Sequence, residues 1–281
     1  MLEFPTAALV ILTPLLICKC YVMRKFGLMR ETGMAKQALT STIDAGEVAK
    51  FTALAEQWWD PKGQFAVLHK FNPVRIAYIK AQICAHFSRD PLSLRPFEGL
   101  RILDIGCGGG LLSEPIARLG ASVVGVDPAE KNIRTAQVHA EAQGLQIDFR
   151  VATAEELAAA GEKFDVILNM EVIEHVLEPA EFVARCADML DPGGLMFIAT
   201  INRTFRSFAL AIVGAEYVLG WLPRGTHQWE RFITPDELSA MAEAAGLRTR
   251  DLAGVRFNPL TNSWQQTDDV AVNYMTLTEK M

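Results

Sequence analysis

The chain has 281 residues, of which 50% are hydrophobic and 21% are charged, with a formal net charge of −6 at pH 7. This length suits one α/β domain with extensions, and the composition allows a large core. The negative charge argues against a nucleic-acid binder, which usually carries a basic face. The scattered, odd-numbered cysteines favour neither a disulfide framework nor a zinc motif, so a reducing cytoplasm is the expected compartment: Cys18, Cys20, Cys84, Cys107 and Cys186.

Residues 1–40 are predicted to be an N-terminal extension. Their apolar run, Thr6–Ile17, is short and contains Pro14, whereas a membrane span needs about 20 apolar residues. Positive charges follow this run instead of preceding it, which is not the pattern of a secretory signal. Two interpretations remain: translation begins further along the chain, or the run is an anchor that touches a membrane. The candidate starts are Met23, Met29 and Met34.

Residues 41–98 are predicted to form a helical cap ahead of the main domain. Val48, Phe51 and Leu54 have helical spacing, and a second helix is expected over 76–87. The cap would cover a ligand cleft, and Arg75 is its best candidate for a two-pronged bond to a carboxylate. The alternative is that Arg75 is a solvated helix residue.

The stretch Arg101–Leu112 predicts a nucleoside-binding loop. Ile102, Leu103 and Ile105 form a short buried strand, and glycines including Gly106 and Gly108 then let the chain turn tightly into a helix. A second buried strand ends at Asp127, 21 residues after Gly106. This is close to the spacing at which a βαβ unit places a carboxylate on ribose hydroxyls.

The same loop favours S-adenosylmethionine over a dinucleotide. The dinucleotide fingerprint needs a third glycine where this chain has Leu111, which argues against an NAD-dependent dehydrogenase. Asp104 lies at the strand tip, where an anion is unfavourable for a pyrophosphate but suits a ligand with an ammonium and a sulfonium. Met170, at the end of the fourth strand, is placed to lie against the adenine.

Strands and helices alternate after the loop, which predicts an α/β fold with a mostly parallel, doubly wound sheet and helices on both faces. Thr234 and Glu237 form a capping box at the start of the last predicted helix. Two further strands, roughly 248–256 and 270–278, complete a predicted sheet of seven strands. We therefore expect a main domain over 99–281.

Glu171, Glu174 and His175 follow the fourth strand at spacings i, i+3 and i+4. On a helical turn these side chains would share a face. Two carboxylates and an imidazole could hold a divalent cation such as Mg²⁺, which would activate a phenol. His175 could instead act as a general base on that hydroxyl. The third interpretation is that the carboxylates stabilise a helix N-terminus and His175 packs at the cleft edge.

Residues 203–229 form an apolar insertion edged by arginines and tryptophan. This composition predicts a helix that lies in a membrane interface, and Glu216 interrupts it too strongly for a comfortable span. The alternative is a buried lid over the active site. A lid for a lipid-like substrate would do both.

Several segments together resemble the ubiquinone-biosynthesis O-methyltransferases. The resemblance covers about 42–277 and leaves out residues 1–35. Its motifs are far more specific than a glycine loop: Trp58–Asp60, Asn72–Arg75, Leu103–Gly110, Met170–His175, Thr200–Arg203, Val213–Tyr217, Gly225–His227, Asn258–Pro259 and Asp269–Met275.

The resemblance implies a class I S-adenosylmethionine-dependent methyltransferase fold, Rossmann-like, acting at two steps of ubiquinone synthesis. The implied acceptors are 2-polyprenyl-6-hydroxyphenol and 3-demethylubiquinol. Its cofactor-binding residues match Arg75, Gly106, Asp127 and Met170, and its metal site matches Glu171, Glu174 and His175.

The resemblance also bears on where the protein acts. The segment 203–229 is implied to contact membrane lipids, so the expected location is the cytoplasm, peripherally at the inner membrane, with other ubiquinone-biosynthesis enzymes as further partners. Two alternatives are a methyltransferase for another small phenol or catechol, and a non-catalytic membrane adaptor on the same fold.

Overall fold

The computed structural model describes residues 41–210 and 228–281. The predicted N-terminal extension, with its candidate start sites, lies outside these residues, as do positions 211–227 of the apolar insertion. Among the described residues, no helix combines the length and apolarity needed to cross a membrane.

An eight-stranded mixed sheet forms the centre of the described part. Its spatial order is β3-β2-β1-β4-β5-β8-β6-β7, with β1 to β5 parallel and the remaining three antiparallel. The strands are β1 Arg101–Ile105, β2 Ser122–Asp127, β3 Asp148–Val151, β4 Phe164–Met170, β5 Leu190–Ile201, β6 Leu247–Asn258, β7 Ser263–Thr267 and β8 Asn273–Lys280.

Helices pack on both faces of the sheet, as the alternating pattern predicts. In chain order they are α1 Ala45–Ala53, α2 Ala66–His86, α3 Ser113–Arg118, α4 Glu130–Ala142, α5 Ala154–Ala159, α6 Pro179–Asp188, α7 Phe205–Ser207 and α8 Pro235–Ala244. One core cluster joins a sheet face to α5, α6 and α8, and a second joins the opposite face to α2 and α3. The fold class is therefore the predicted one.

Two details differ from the sequence prediction. The prediction of seven strands was wrong by one, because β7 (Ser-Trp-Gln-Gln-Thr) lacks the apolar alternation that indicates a strand. Helix α2 begins ten residues earlier than predicted and continues through Pro73. Proline removes one backbone donor in a helix interior, but burial of Phe71, Tyr78 and Ile79 holds this helix against the sheet. The capping box of Thr234 and Glu237 is present.

Candidate active site

A cavity of about 870 Å³ opens at the carboxyl ends of β1, β2 and β4. The strand order reverses between β1 and β4, and ligands of open α/β sheets bind at such a switch point. Helices α1 and α2 supply the opposite wall. Eight of the nine sequence-predicted site residues line this one space: Arg75, Asp104, Gly106, Asp127, Met170, Glu171, Glu174 and His175.

The glycines of the loop after β1 are required by its geometry. Gly106 has a φ of +65°, and a Cβ there would lie 2.6 Å from Cγ2 of Val172. Gly108 has a φ of +53°, and a Cβ there would lie 2.4 Å from the indole of Trp58. Gly108 therefore lies beneath Trp58 instead of lining the cavity. Both positions combine a left-handed backbone with a neighbour too close for any side chain.

Asp127 ties the loop to the following helix. Its Oδ2 accepts from the backbone N–H of Gly108 at 3.1 Å, and its Oδ1 accepts from the N–H of Ala129 at 2.8 Å and from Nδ2 of Asn132 at 3.1 Å. A carboxylate has about four acceptor sites, so one remains for a ligand hydroxyl. Burial raises the pKa of Asp127 despite these hydrogen bonds.

Asp104 is buried at the end of β1, 3% exposed, and accepts from Oγ of Ser113 at 2.5 Å. Burial is the main reason that the pKa of Asp104 rises to about 7, with nearby Asp127 adding to the effect. Neither carboxylate forms an ion pair with a residue that the structure describes. Two buried carboxylates that face a cavity and are not ion-paired with a described residue fit a cationic ligand that also carries a ribose.

Arg75 and Glu171 form an ion pair in the cavity wall, with Nη2 and Oε1 2.5 Å apart. Arg75 is 3% exposed, and its guanidinium lies over the Phe71 ring. Glu171 has a φ of +58°, so the chain turns into the left-handed region directly after β4. The predicted helical face shared by Glu171, Glu174 and His175 does not form for this reason, and only a short 3-10 turn follows, over Ile173–His175.

The three residues of the predicted metal site point to different partners. Glu171 bonds Arg75, Glu174 accepts from the Thr200 hydroxyl at 2.9 Å, and Nδ1 of His175 lies 2.8 Å from Oε2 of Glu47. Across 41–210 and 228–281, no group of three His, Cys, Asp or Glu side chains is arranged to hold a metal ion. The residues as placed do not fit the predicted cation, and no step below depends on one.

The sequence of this chain is similar to the sequences of known methyltransferases. A family model described as a methyltransferase domain matches residues 77–252. A ubiquinone biosynthesis O-methyltransferase of Parvibaculum lavamentivorans is 61% identical over 246 residues, covering 88% of this chain and 97% of that protein. The protein of the same description from Chelativorans sp. is 61% identical over 244 residues, covering 87% and 96%. This chain belongs to the ubiquinone biosynthesis O-methyltransferase family.

Solved structures support the fold independently of sequence identity. The magnesium protoporphyrin IX methyltransferase of Synechocystis PCC 6803, crystallised with SAH, superposes with a TM-score of 0.57 at 18% identity, covering 83% of this chain and 94% of that one. The plantazolicin methyltransferase BpumL gives 0.58 at 17% identity, covering 84% and 97%. The fold is thus that of the S-adenosylmethionine-dependent methyltransferases.

Three functional candidates in this family member escaped the sequence analysis. Trp58 covers the glycine loop, and its Nε1–H donates to Oδ1 of Asn132 at 3.0 Å. Asn132 in turn donates to Asp127, so the cap is bonded to the Asp127 carboxylate through one side chain. Glu47, the partner of His175, is 128 positions away in the chain. No local pattern signals contacts over such separations.

Proposed function

We propose that this protein transfers a methyl group from S-adenosylmethionine to a phenolic oxygen of polyprenylated acceptors, namely 2-polyprenyl-6-hydroxyphenol and 3-demethylubiquinol. The observation that carries the proposal is the composition of the cavity described above. Its lining combines the buried carboxylates Asp104 and Asp127 with His175 and a set of apolar side chains. We assign the carboxylate end to the cofactor, and His175 with the apolar side chains to the acceptor. Family membership narrows the acceptor to the quinol class.

The cofactor end is assigned by the chemistry of its side chains. Asp127 would accept from the ribose hydroxyls, and Asp104 would face the positive charge of the cofactor. Arg75 has a buried Nε–H without a partner among the described residues, which leaves one donor for the cofactor carboxylate beside the Glu171 ion pair. Met170 lines the cavity at the end of β4, where it would contact the adenine.

The acceptor end is built from apolar residues of the cap and of the β6–β7 hairpin. Phe51, Phe71, Phe257 and Trp264 line it, and the Phe71 and Trp264 rings stack at 4.8 Å between centroids. A substituted phenol with an isoprenoid tail matches such a wall, because burying its apolar surface is favourable. These contacts also support separate roles for 41–98, as a cap, and 99–281, as the methyltransferase domain.

The protein must deliver the acceptor as a phenolate aligned with the donor, since free phenols have a pKa near 10 and are weak nucleophiles at neutral pH. When bound, S-adenosylmethionine would supply an activated methyl group, and its sulfur would keep the electron pair of the broken bond. His175 takes the phenol proton, and the oxygen forms the new bond to carbon. Glu47 and Glu174 raise the pKa of His175 against the opposing effect of burial, which favours this role.

Membrane contact is a second part of the proposal, supported by the described start of the apolar insertion. Phe205, Phe208 and Leu210 are 83%, 40% and 53% exposed. Leu210 and Arg206 also line the cavity, so its mouth meets this apolar surface. A prenylated acceptor dissolved in a bilayer would enter there. This arrangement favours the peripheral, membrane-facing role over a closed lid.

Methyl transfer is tested with labelled S-adenosylmethionine and a reduced short-tail demethylubiquinol. We expect label in the quinol, and a protein that binds the cofactor but labels only other phenols would contradict the proposed acceptor. Glu171 is already ion-paired with Arg75 and His175 is hydrogen-bonded to Glu47, so we expect an unchanged rate in EDTA. Activity lost in EDTA and restored by Mg²⁺ would instead show that these side chains rearrange around a cation.

Membrane contact is tested by sedimentation with anionic vesicles. A double variant, Phe205→Ser with Phe208→Ser, should bind less than the parent. The matched control is Leu92→Ser with Leu94→Ser, because both leucines are 90% exposed but do not line the cavity. Equal loss in both double variants would mean that any exposed apolar residue suffices, and would remove the assignment to this surface.

A further inference from the structure

Glu47 is the carboxylate nearest to the base assigned above. It lies in the first turn of α1, and its Oε2 is 2.8 Å from Nδ1 of His175. The two side chains are 14% and 16% exposed, so the contact is largely shielded from water. Phe51, one turn further along α1, meets the His175 ring edge-on with centroids 5.2 Å apart. The ring is therefore held by one hydrogen bond and one apolar contact from the same helix.

We propose that Glu47 is a positioning residue that fixes the tautomer and orientation of His175, so that Nε2 is the atom that receives the acceptor's proton. This inference rests on the proposed function. A neutral imidazole carries its proton on one nitrogen only, and a carboxylate at Nδ1 can only accept. The proton must then be on Nδ1, which leaves the lone pair of Nε2 free for the substrate.

The charges around the pair agree with this role. The hydrogen bond from His175 is the main reason that the pKa of Glu47 is lowered, against the effect of burial. Lys50 lies 3.6 Å from the same carboxylate, and Arg231 contributes from farther away. Glu174 is the other acidic group beside the ring, and burial raises its pKa. Glu47 is the carboxylate hydrogen-bonded to the ring, so it is the anion in direct contact with the imidazolium formed when Nε2 takes up the proton.

The helix that carries Glu47 is fixed at its start. Asp44 caps α1, accepting from the backbone N–H groups of Gly46 at 2.9 Å and Glu47 at 3.4 Å. Its second oxygen accepts from Arg231 at 2.8 Å, directly after the apolar insertion. The first turn of α1 is thus anchored through Asp44 to Arg231, which limits the positions that the Glu47 carboxylate can take.

The proton transfer from the acceptor suggests a test that separates a role in catalysis from a purely structural role. The O–H bond of the acceptor breaks and an Nε2–H bond forms, so a catalytic contribution from His175 exists only when the acceptor arrives protonated. General-base assistance is worth roughly 10²–10⁴-fold. An acceptor that is already ionised at the assay pH, such as a nitrocatechol, does not need that assistance. A variant that only disturbs the fold would slow both acceptors.

The test compares Glu47→Met with wild type, using Glu56→Met as the control because Glu56 is an exposed acid of the same cap. For a quinol acceptor we expect kcat to fall about 100-fold in Glu47→Met, with KM for S-adenosylmethionine unchanged. For the nitrocatechol the fall should be less than about threefold. His175→Asn should show the same acceptor dependence, and adding Glu47→Met to it should cost little more, because the two residues act as a unit.

A spectroscopic measurement tests the role of Glu47 without relying on activity. ¹⁵N-histidine NMR should show His175 with its proton on Nδ1 in wild type, and a shift of that population toward Nε2 in Glu47→Met. Equal losses with both acceptors, or an unchanged tautomer, would overturn the inference. A wild-type protein that labels no quinol would instead refute the proposed function. The tautomer measurement would still test whether Glu47 sets the tautomer of His175.

Discussion

The ends of the cavity that we assign to the cofactor and to the acceptor are built in opposite ways. Asp104, Gly106 and Asp127 come from β1, β2 and the loop between them, within 24 consecutive residues. At the acceptor end, Glu47, His175 and Trp264 come from α1, from the turn after β4 and from β7. The comparison teaches that most of the proposed cofactor contacts come from one local unit, to which Arg75 and Met170 are added from α2 and β4. Packing of the cap and the hairpin onto the sheet creates the proposed acceptor contacts.

The largest expected effect comes from a substitution that disrupts only the cofactor end of the cavity. Gly106→Ala places a methyl group against Val172 and forces a left-handed backbone. We expect cofactor binding, measured by calorimetry, to weaken at least about 100-fold, since a misplaced loop cannot present its backbone to the ligand. Gly161→Ala is the control, because Gly161 also has a positive φ (+72°) but an added Cβ meets nothing within 4 Å. That variant should lose only about 1 kcal/mol of stability.

Equal loss of cofactor binding in both glycine variants would mean that general backbone strain, and not the contact with Val172, explains the requirement at Gly106.

The local nature of the unit formed by β1, its glycine loop and β2 explains how well this part of the site could be predicted from the sequence. Strand, glycine turn and carboxylate follow one another directly, so Gly106, Asp104 and Asp127 were identified from spacing, and the structure brings them to one cavity.

The acceptor end could be predicted only in part. His175 was identified as a candidate, but its partner Glu47 is 128 positions away. The metal site was inferred from helical spacing, which the left-handed backbone of Glu171 prevents. Strand β7 carries a cavity residue, Trp264, in a stretch without apolar alternation. Such features depend on tertiary packing, which overrides local pattern.

The second prediction acts on the acceptor end alone. Trp264→Ala removes a ring that stacks on Phe71 and lines the cavity. We expect KM for a prenylated acceptor to rise about tenfold, corresponding to about 1.4 kcal/mol of lost apolar contact, with no change for the cofactor. Leu260→Ala, at the 95% exposed tip of the same hairpin, should change neither value. A parallel rise for a tail-less phenol would show that Trp264 contacts the ring and not the tail.

The third prediction uses the pKa of Asp104 to test whether the cofactor end recognises positive charge. This pKa is raised to about 7, so the native state binds more protons than the unfolded state between about pH 4 and 7. Asp104 accordingly makes the free protein less stable as pH rises through this range. A cationic ligand favours the ionised carboxylate, so cofactor affinity should rise with pH up to about 7 and then level off.

Calorimetry between pH 6 and 8.5, in two buffers of different ionisation enthalpy, measures both the affinity and the protons released on binding. Asp104→Asn should weaken binding and reduce the proton release near pH 7. The same pH profile in wild type and variant would place the titrating group elsewhere in the cavity, and the contact between Asp104 and the cofactor charge would have to be abandoned.

The smallest expected effect comes from loosening the cap that joins the two ends. The backbone N–H of Thr42 donates to Oε1 of Glu155 at 2.9 Å, and its hydroxyl bonds the same oxygen. Burial opposes ionisation of Glu155, but these hydrogen bonds outweigh it and lower its pKa. Thr42→Val removes the hydroxyl at nearly constant volume, so the free energy of unfolding in urea should fall by about 1–3 kcal/mol.

Thr42→Ser keeps the hydroxyl, so its free energy of unfolding should fall much less. Because Thr42 lies five residues before Glu47, a looser anchor should also let the Glu47 carboxylate move relative to His175. We therefore expect kcat of Thr42→Val to fall a few-fold while the cofactor affinity stays within twofold of wild type, since a small displacement is enough to reduce alignment. A loss confined to cofactor affinity would reverse the assignment, and would make the cap part of the cofactor end.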